Sequence, residues 1–407
     1  MASNIRRNDT TASGRPVRVC IASLAPTSHS IARLTEAEFR QRVQQASQGR
    51  LEVSFLLGGY PRESEDASVR RARPPGWLPR WLGVPLAYLR HLPRLLRQDI
   101  IVTSTITLEG AIASLFCRLF RKRCMVTVHG FYDREWQVYR HYSRLKLARN
   151  WLMAGLTRRL AHLFVTIDEQ LQQDLIGRGV SPAKTMVRPV PADSDRFSRR
   201  HLRADALAGF KEEYGLPEHY LLFVGRMDQR DGILDALEVF RRVHAVRPHC
   251  RLVLLCQNVP PGMRSLGPDA REFTAANNLD DTVTFIDEAP HDQMPYLYAL
   301  AGVVIMPLHP PACGPGKITL EALSMEVPVI ITDIGTFHKV VFNGENGYRL
   351  PVGDVEGMAR RVLEILADPE LGKRLGARGR EIVKARYDMP LYIQNWVESL
   401  LGLAAQP

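Results

Sequence analysis

Short apolar runs rich in Val, Ile and Leu alternate along this chain with longer stretches in which apolar residues recur every three or four positions. The runs predict strands at Val17–Ala22, Leu51–Leu57, Ile100–Ser104, Cys124–Val128 and Leu163–Thr166, and again at Tyr220–Val224, Arg251–Leu255, Thr282–Ile286, Gly302–Met306 and Pro328–Thr332. Strands regularly separated by helical patterns are the mark of parallel sheets with crossover helices, so the fold class is α/β with two doubly wound, Rossmann-like domains. Between the two sets, 189–217 mixes Pro, Asp, Arg and Gly with little periodicity and reads as a linker plus a short helix around Leu202–Tyr214. Apolar residues at helical spacing over Tyr387–Leu403 predict a final helix.

Length agrees with this division, because 407 residues exceed what one hydrophobic core usually organises. The expected domains are 1–200 and 201–385, with 386–407 as a C-terminal helix returning to the first domain. Apolar residues at 45% and charged residues at 24% exclude a mainly disordered chain.

Charge separates the halves. Residues 1–205 carry 34 Lys+Arg against 17 Asp+Glu, a net of +17, and the remaining 20 against 26 give −6. A basic first half attracts polyanionic surfaces, while the second need only hold a small ligand. Two stretches are free of acid. In 67–98, Arg70, Arg71, Arg73, Arg80, Arg90, Arg94 and Arg97 interleave with Trp77, Trp81 and several leucines; 136–167 holds Arg140, Arg144, Lys146, Arg149, Arg158 and Arg159. Such segments suit an anionic membrane interface, and core-packed helices with solvated arginines are the competing reading. No nucleic-acid-binding module accompanies the charge, so nucleic acid is not the expected partner.

The six cysteines lack C-x-x-C or zinc-type spacing and read as reduced, mostly buried thiols. Met1–Pro16 is polar and Arg-rich, without the apolar stretch of a secretory signal, and the best candidate span, Ile100–Phe120, is broken by Glu109 and Arg118. A cytoplasmic protein, peripheral at the inner face of the membrane, is the consistent placement.

In open α/β sheets ligands sit beyond the carboxyl ends of strands, so chemistry is expected in the residues just after Val128, Val224 and Met306. After Val224 come Gly225 and Arg226, then Arg230, Asp231 and Gly232 before a helical pattern from Ile233. A glycine permits a tight turn, and an arginine there can direct its fork of donors at phosphate. After Met306 a Pro- and Gly-rich loop leads to a helix beginning near Gly316. Its backbone N–H groups and the charge of Lys317 favour an anion. Glu321, one turn on, shares a face with Lys317, where it can accept ribose or sugar hydroxyls; an ordinary i,i+4 ion pair is the competing reading. His129 ends the strand CMVTVHG beside Gly130.

The segment Gly225–Tyr387 resembles, in order and spacing, the C-terminal domain of family 4 (group 1) retaining glycosyltransferases of the GT-B fold. Gly225–Gly232 is similar to the family's G-R-x-x-x-x-K-G turn, and Cys313–Leu323 to E-G-F-G-x-x-x-L-E-A-M. VPVIITDIG and NGENGYRLPVGD are similar to the family's next segments in the same order. The resemblance implies two domains facing a cleft, and a nucleotide-diphosphate sugar bound by Gly225, Arg226, Arg230, Gly316, Lys317 and Glu321. Arg226 then holds the diphosphate, Glu321 the ribose, and His129, at a T-x-H-G strand end, approaches the donor sugar and incoming hydroxyl.

The expected activity is metal-independent, cofactor-free transfer of a sugar, with retention, to a lipid-linked or saccharide acceptor in polysaccharide or glycolipid biosynthesis. Asp231 stands where the family has lysine, Cys313 where it has glutamate, and Lys339 where G-G-x-P-E ends in an acid. These departures leave a binding or scaffold protein that lost catalysis as one alternative; a transferase with a soluble small-molecule acceptor is the other, should the basic face not meet lipid.

Overall fold

The computed structural model describes residues 15–23, 35–57, 69–71, 80–130, 144–257, 259, 264–310 and 316–406. The chain divides into two compact units, 1–188 with 390–407, and 189–389. Among the described residues the first contains seven parallel strands: β1 (Val17–Ser23), β2 (Leu51–Leu57), β3 (Val69–Arg71), β4 (Ile100–Thr103), β5 (Arg123–Val128), β6 (Leu163–Thr166) and β7 (Thr185–Val187). Their order is β3-β2-β1-β4-β5-β6-β7. Strands in such a sheet are covered by helices on both faces, so they read as unbroken apolar runs. Every residue of β4 and β6 is indeed buried.

The helix Met389–Ala404 completes this first unit, as the tail periodicity implied. Trp396 meets Phe39 edge to face with ring centroids 5.0 Å apart. Ser399 donates to the Met186 sulfur at 3.1 Å.

The second unit begins at Pro189 rather than at residue 201, because the crossover is fastened to it. Ala192 N donates to Tyr387 O and Met389 N to Ala192 O. The Arg380 guanidinium donates to the carbonyls of Ser194, Phe197 and Ser324. Arg199 adds bonds to the carbonyls of Met325 and Ala299.

Among the described residues six parallel strands form the second sheet: β8 (Tyr220–Arg226), β9 (Leu252–Gln257), β10 (Val283–Ile286), β11 (Ala301–Met306), β12 (Val329–Thr332) and β13 (Gly347–Leu350), in the order β10-β9-β8-β11-β12-β13. Alternate residues feed two cores. Leu222, Val224, Val304 and Ile331 pack with Phe197, Tyr298 and Leu323. Leu221, Phe223, Val303 and Ile330 pack on the other face with Ile233, Phe240 and Val362. In each sheet the strand order reverses once, between β1 and β4 and between β8 and β11, which are the places where such sheets open a crevice.

The described cysteines are free thiols, four of them buried. Burial pushes the Cys20 thiol up to about 11 and that of Cys256 to about 12, so neither is a nucleophile at neutral pH. Cys313 lies outside the described residues. Among those described, no helix is long and apolar enough to cross a membrane.

Candidate active site

β8 and β11 are neighbours, so the turns that leave their carboxyl ends lie side by side. The turn after β8 is built by two carboxylates. Asp228 Oδ1 accepts the N–H of Asp231 at 3.0 Å, and Asp231 Oδ2 accepts the N–H of Arg226 at 2.7 Å. Both also reach the Arg226 side chain, whose Nη2 lies 3.2 Å from Asp228 Oδ2 and 3.3 Å from Asp231 Oδ1. Asp228 is buried, while 27% of the Arg226 side chain remains accessible. Asp231, read from sequence as a lost cation, is therefore the residue that orients the turn arginine. Gly225 belongs to the same packing, since a Cβ there would stand 3.1 Å from that of Asp231.

Gly232 ends the turn with φ of 76°, in the left-handed region, before the helix Ile233–Val246. A Cβ at this position would also lie 1.9 Å from the Pro307 carbonyl oxygen, so only glycine lets the two turns touch. They are then bonded together: His309 N donates to Arg230 O at 2.8 Å, and His309 Nε2 pairs with Asp235 Oδ2 at 2.8 Å. Arg230 thus sits on the seam between them, half-buried.

Gly316, with φ of 35°, precedes the helix Lys317–Ser324 without a side-chain cap. Its first-turn N–H groups and the half-buried Lys317 place positive potential at one point. Glu321 comes one turn on but points inward. It is 4% exposed, its Oε2 accepts the Tyr298 hydroxyl at 3.1 Å, and its Oε1 stands 3.5 Å from His291 Nε2. Phe197 supports both partners, with ring centroids 5.6 Å from His291 and 6.1 Å from Tyr298. The sequence singled out neither His291, which lies in the segment beyond the end of β10, nor Tyr298 on the following helix.

In the first unit His129 stands half-buried immediately after β5, at the carboxyl end of a central strand. Lys339 closes a short turn whose carbonyl accepts the Tyr387 hydroxyl at 3.1 Å.

In the second unit Gly225, Arg226 and Arg230 thus lie in or just after β8, and Gly316, Lys317 and Glu321 follow β11, the two strands between which the sheet order reverses. A sequence profile described as "Glycosyl transferases group 1" matches residues 218–368, and one described as "Glycosyltransferase Family 4" matches residues 42–196. The chain belongs to the group 1, family 4 glycosyltransferases. Within this family it is 25% identical over 240 residues to the alpha-D-kanosaminyltransferase of Streptomyces kanamyceticus, a match covering 59% of this chain and 60% of that one. The chain spans about half the length of the curated relatives it matches first.

Two solved structures are similar throughout. HepE of Anabaena, in complex with UDP, has a TM-score of 0.71 at 16% identity, covering 95% of this chain and 100% of that one. The sucrose-phosphate synthase of Thermosynechococcus elongatus has a TM-score of 0.72 at 22% identity, covering 96% and 99%. At these identities the likeness establishes the fold, the two-domain GT-B fold of family glycosyltransferases.

Proposed function

We propose that this glycosyltransferase-family chain transfers a sugar from a nucleotide-diphosphate sugar to an acceptor hydroxyl, with retention and without a metal ion, and that its acceptor is a lipid-linked or saccharide precursor met at an anionic membrane. The observation that carries the reading is that β8 and β11 pair side by side, so the Arg226 turn leaves one strand end and the segment leading to the Lys317 helix leaves its neighbour. A departing diphosphate needs compensating positive charge at a fixed place. Arg226, Arg230, Lys317 and the N–H groups after Gly316 supply it from protein groups alone. Glu321 is turned toward Tyr298 and His291 rather than outward beside Lys317, so a ribose role uses the lone pairs of its carboxylate that those partners leave; the first unit receives the acceptor, with His129 approaching its hydroxyl. UDP in the HepE structure supports this donor class, and the kanosaminyltransferase name of the Streptomyces relative supports sugar transfer.

Purified protein incubated with a panel of nucleotide sugars should release nucleoside diphosphate with one of them when acceptor is present. Release is expected to persist in EDTA; loss that Mg²⁺ restores would reject metal independence.

The Asp228 and Asp231 contacts favour a second reading, a binding protein without turnover, because two carboxylates already occupy the arginine that a diphosphate would use. Calorimetric binding of a nucleotide sugar with neither hydrolysis nor transfer would select it.

A further inference from the structure

In the first unit the helices 80–90, 108–119 and 144–160 lie side by side. Crossovers between parallel strands are right-handed, so the helices leading into β4, β5 and β6, on one side of the switch point, cover the same face of the sheet. The Tyr88 and Phe116 rings meet edge to face at 6.0 Å between centroids. Arg118 Nε donates to Leu160 O at 3.0 Å, tying the second helix to the end of the third.

The outer side of this layer is apolar. Among the described residues thirteen large apolar side chains are exposed, and ten of them fall between residues 82 and 152. Leu89 is 66% exposed, Leu119 68% and Trp151 65%. Leu86 lies beside Leu89, Leu115 one turn before Leu119, and Leu152 beside Trp151. Scattered single leucines are ordinary, but eight exposed large apolar side chains on three neighbouring helices mark a contact surface.

Charge identifies the partner. The three helices contain one carboxylate, Glu109, and it is buried. Arg90, Arg118, Arg144 and Arg159 are exposed among the leucines. A second copy of the chain would set arginine against arginine with no acid on the face to offset them. Nucleic acid would engage the arginines and leave the leucines in water. A bilayer with anionic head groups suits both, with aliphatic side chains and the indole below the phosphates and guanidinium groups among them.

We propose that the face made by helices 80–90, 108–119 and 144–160 docks on an anionic lipid surface. It deepens the membrane part of the proposed function and rests on that reading for its purpose only, since the docking itself needs neither donor nor acceptor. Helices 80–90 and 144–160 fall within the two acid-free stretches, helix 108–119 is added to them by the fold, and Arg73 and Trp77 lie outside the described residues.

The test is co-sedimentation of the full chain with phosphatidylcholine vesicles, neutral or containing about 30% phosphatidylglycerol, at low and high salt and without nucleotide sugar. Wild type should partition about tenfold more strongly to the anionic vesicles, with a residue of binding that survives high salt. Leu89→Ser, Leu119→Ser and Trp151→Ser combined should remove the salt-resistant part. Arg90→Glu, Arg144→Glu and Arg159→Glu combined should remove the salt-sensitive part. All six side chains are exposed, so melting temperatures should stay at the wild-type value, and the two sets oppose different forces, so either one decides the matter.

Equal recovery on neutral and anionic vesicles would overturn the proposal, as would wild-type binding by both variants. Light scattering that gives a wild-type dimer, split by the leucine and tryptophan changes, would assign the face to a second copy. Diphosphate release with a soluble acceptor reports on the transferase reading separately, so the failure of one is distinguishable from the failure of the other.

Discussion

Asp231 Oδ2 accepts the backbone N–H of Arg226 at 2.7 Å while Oδ1 of the same carboxylate lies 3.3 Å from that residue's Nη2. The acid both shapes the turn and neutralises part of the charge proposed to meet a diphosphate. Asp231→Asn keeps an oxygen for the N–H and removes the competing charge. The KM for the nucleotide sugar is expected to fall severalfold with kcat little changed, measured from initial rates across donor concentrations. A raised KM would mean that the turn needs the charge.

Arg226→Ala removes a preorganised charged donor and should cost about 2 to 4 kcal/mol of transition-state stabilisation, read as kcat/KM. A near-normal kcat would take Arg226 out of the reaction.

Glu321 separates stability from binding. Glu321→Gln keeps an acceptor for the Tyr298 hydroxyl, so the melting temperature should stay near wild type while nucleotide affinity drops. Glu321→Ala leaves Tyr298 and His291 facing an empty buried position and should cost about 1 to 3 kcal/mol of folding stability as well. Equal nucleotide affinity in wild type and Glu321→Gln would leave the glutamate a structural role alone.

For His129→Ala the expected result is a loss of kcat of about 100-fold or more at unchanged melting temperature, the scale of general acid–base or charge stabilisation. A collapse of stability with normal turnover would show a structural histidine.

His162, which immediately precedes β6 in the first unit, gives the fold a pH response. Its Nδ1 accepts the N–H of Cys124 at 3.1 Å, and burial, helped by Arg118, Arg123 and Lys184, pushes its pKa down to about 4 from the ordinary 6.5. The folded chain thus holds the neutral ring. Below pH 6.5 the unfolded chain takes up a proton that the folded chain refuses, so stability present above 6.5 is lost as pH falls toward about 4. Urea midpoints at neutral and mildly acid pH should differ less for His162→Asn than for wild type; equal differences would exclude this histidine as the cause.

Central strands were legible in the sequence because burial on both faces leaves nothing polar to interrupt them, as in β4 and β6. β3, β7 and β13 were not read. Each is a short sheet edge, and VRR, TMV and GYRL carry no apolar run. Arg226 and Glu321 were legible because local chain geometry places them, one at a strand end and one on a helix start. His291 and Tyr298 reach Glu321 only through tertiary packing across 30 and 23 positions, for which no spacing rule exists. Asp231 was read against a family position and taken for a missing cation, when its meaning lies in the bonds it makes to Arg226.

The helix Met389–Ala404 is the last described helix in chain order, yet Trp396 seats on Phe39 in the first unit. During synthesis the second unit has all of its chain once Met389 has left the ribosome, whereas the first is still missing a wall. The unit translated first is therefore completed last. A nascent chain arrested before residue 390 should expose Phe39 and the neighbouring apolar surface to chaperones and proteases while its second unit already resists them.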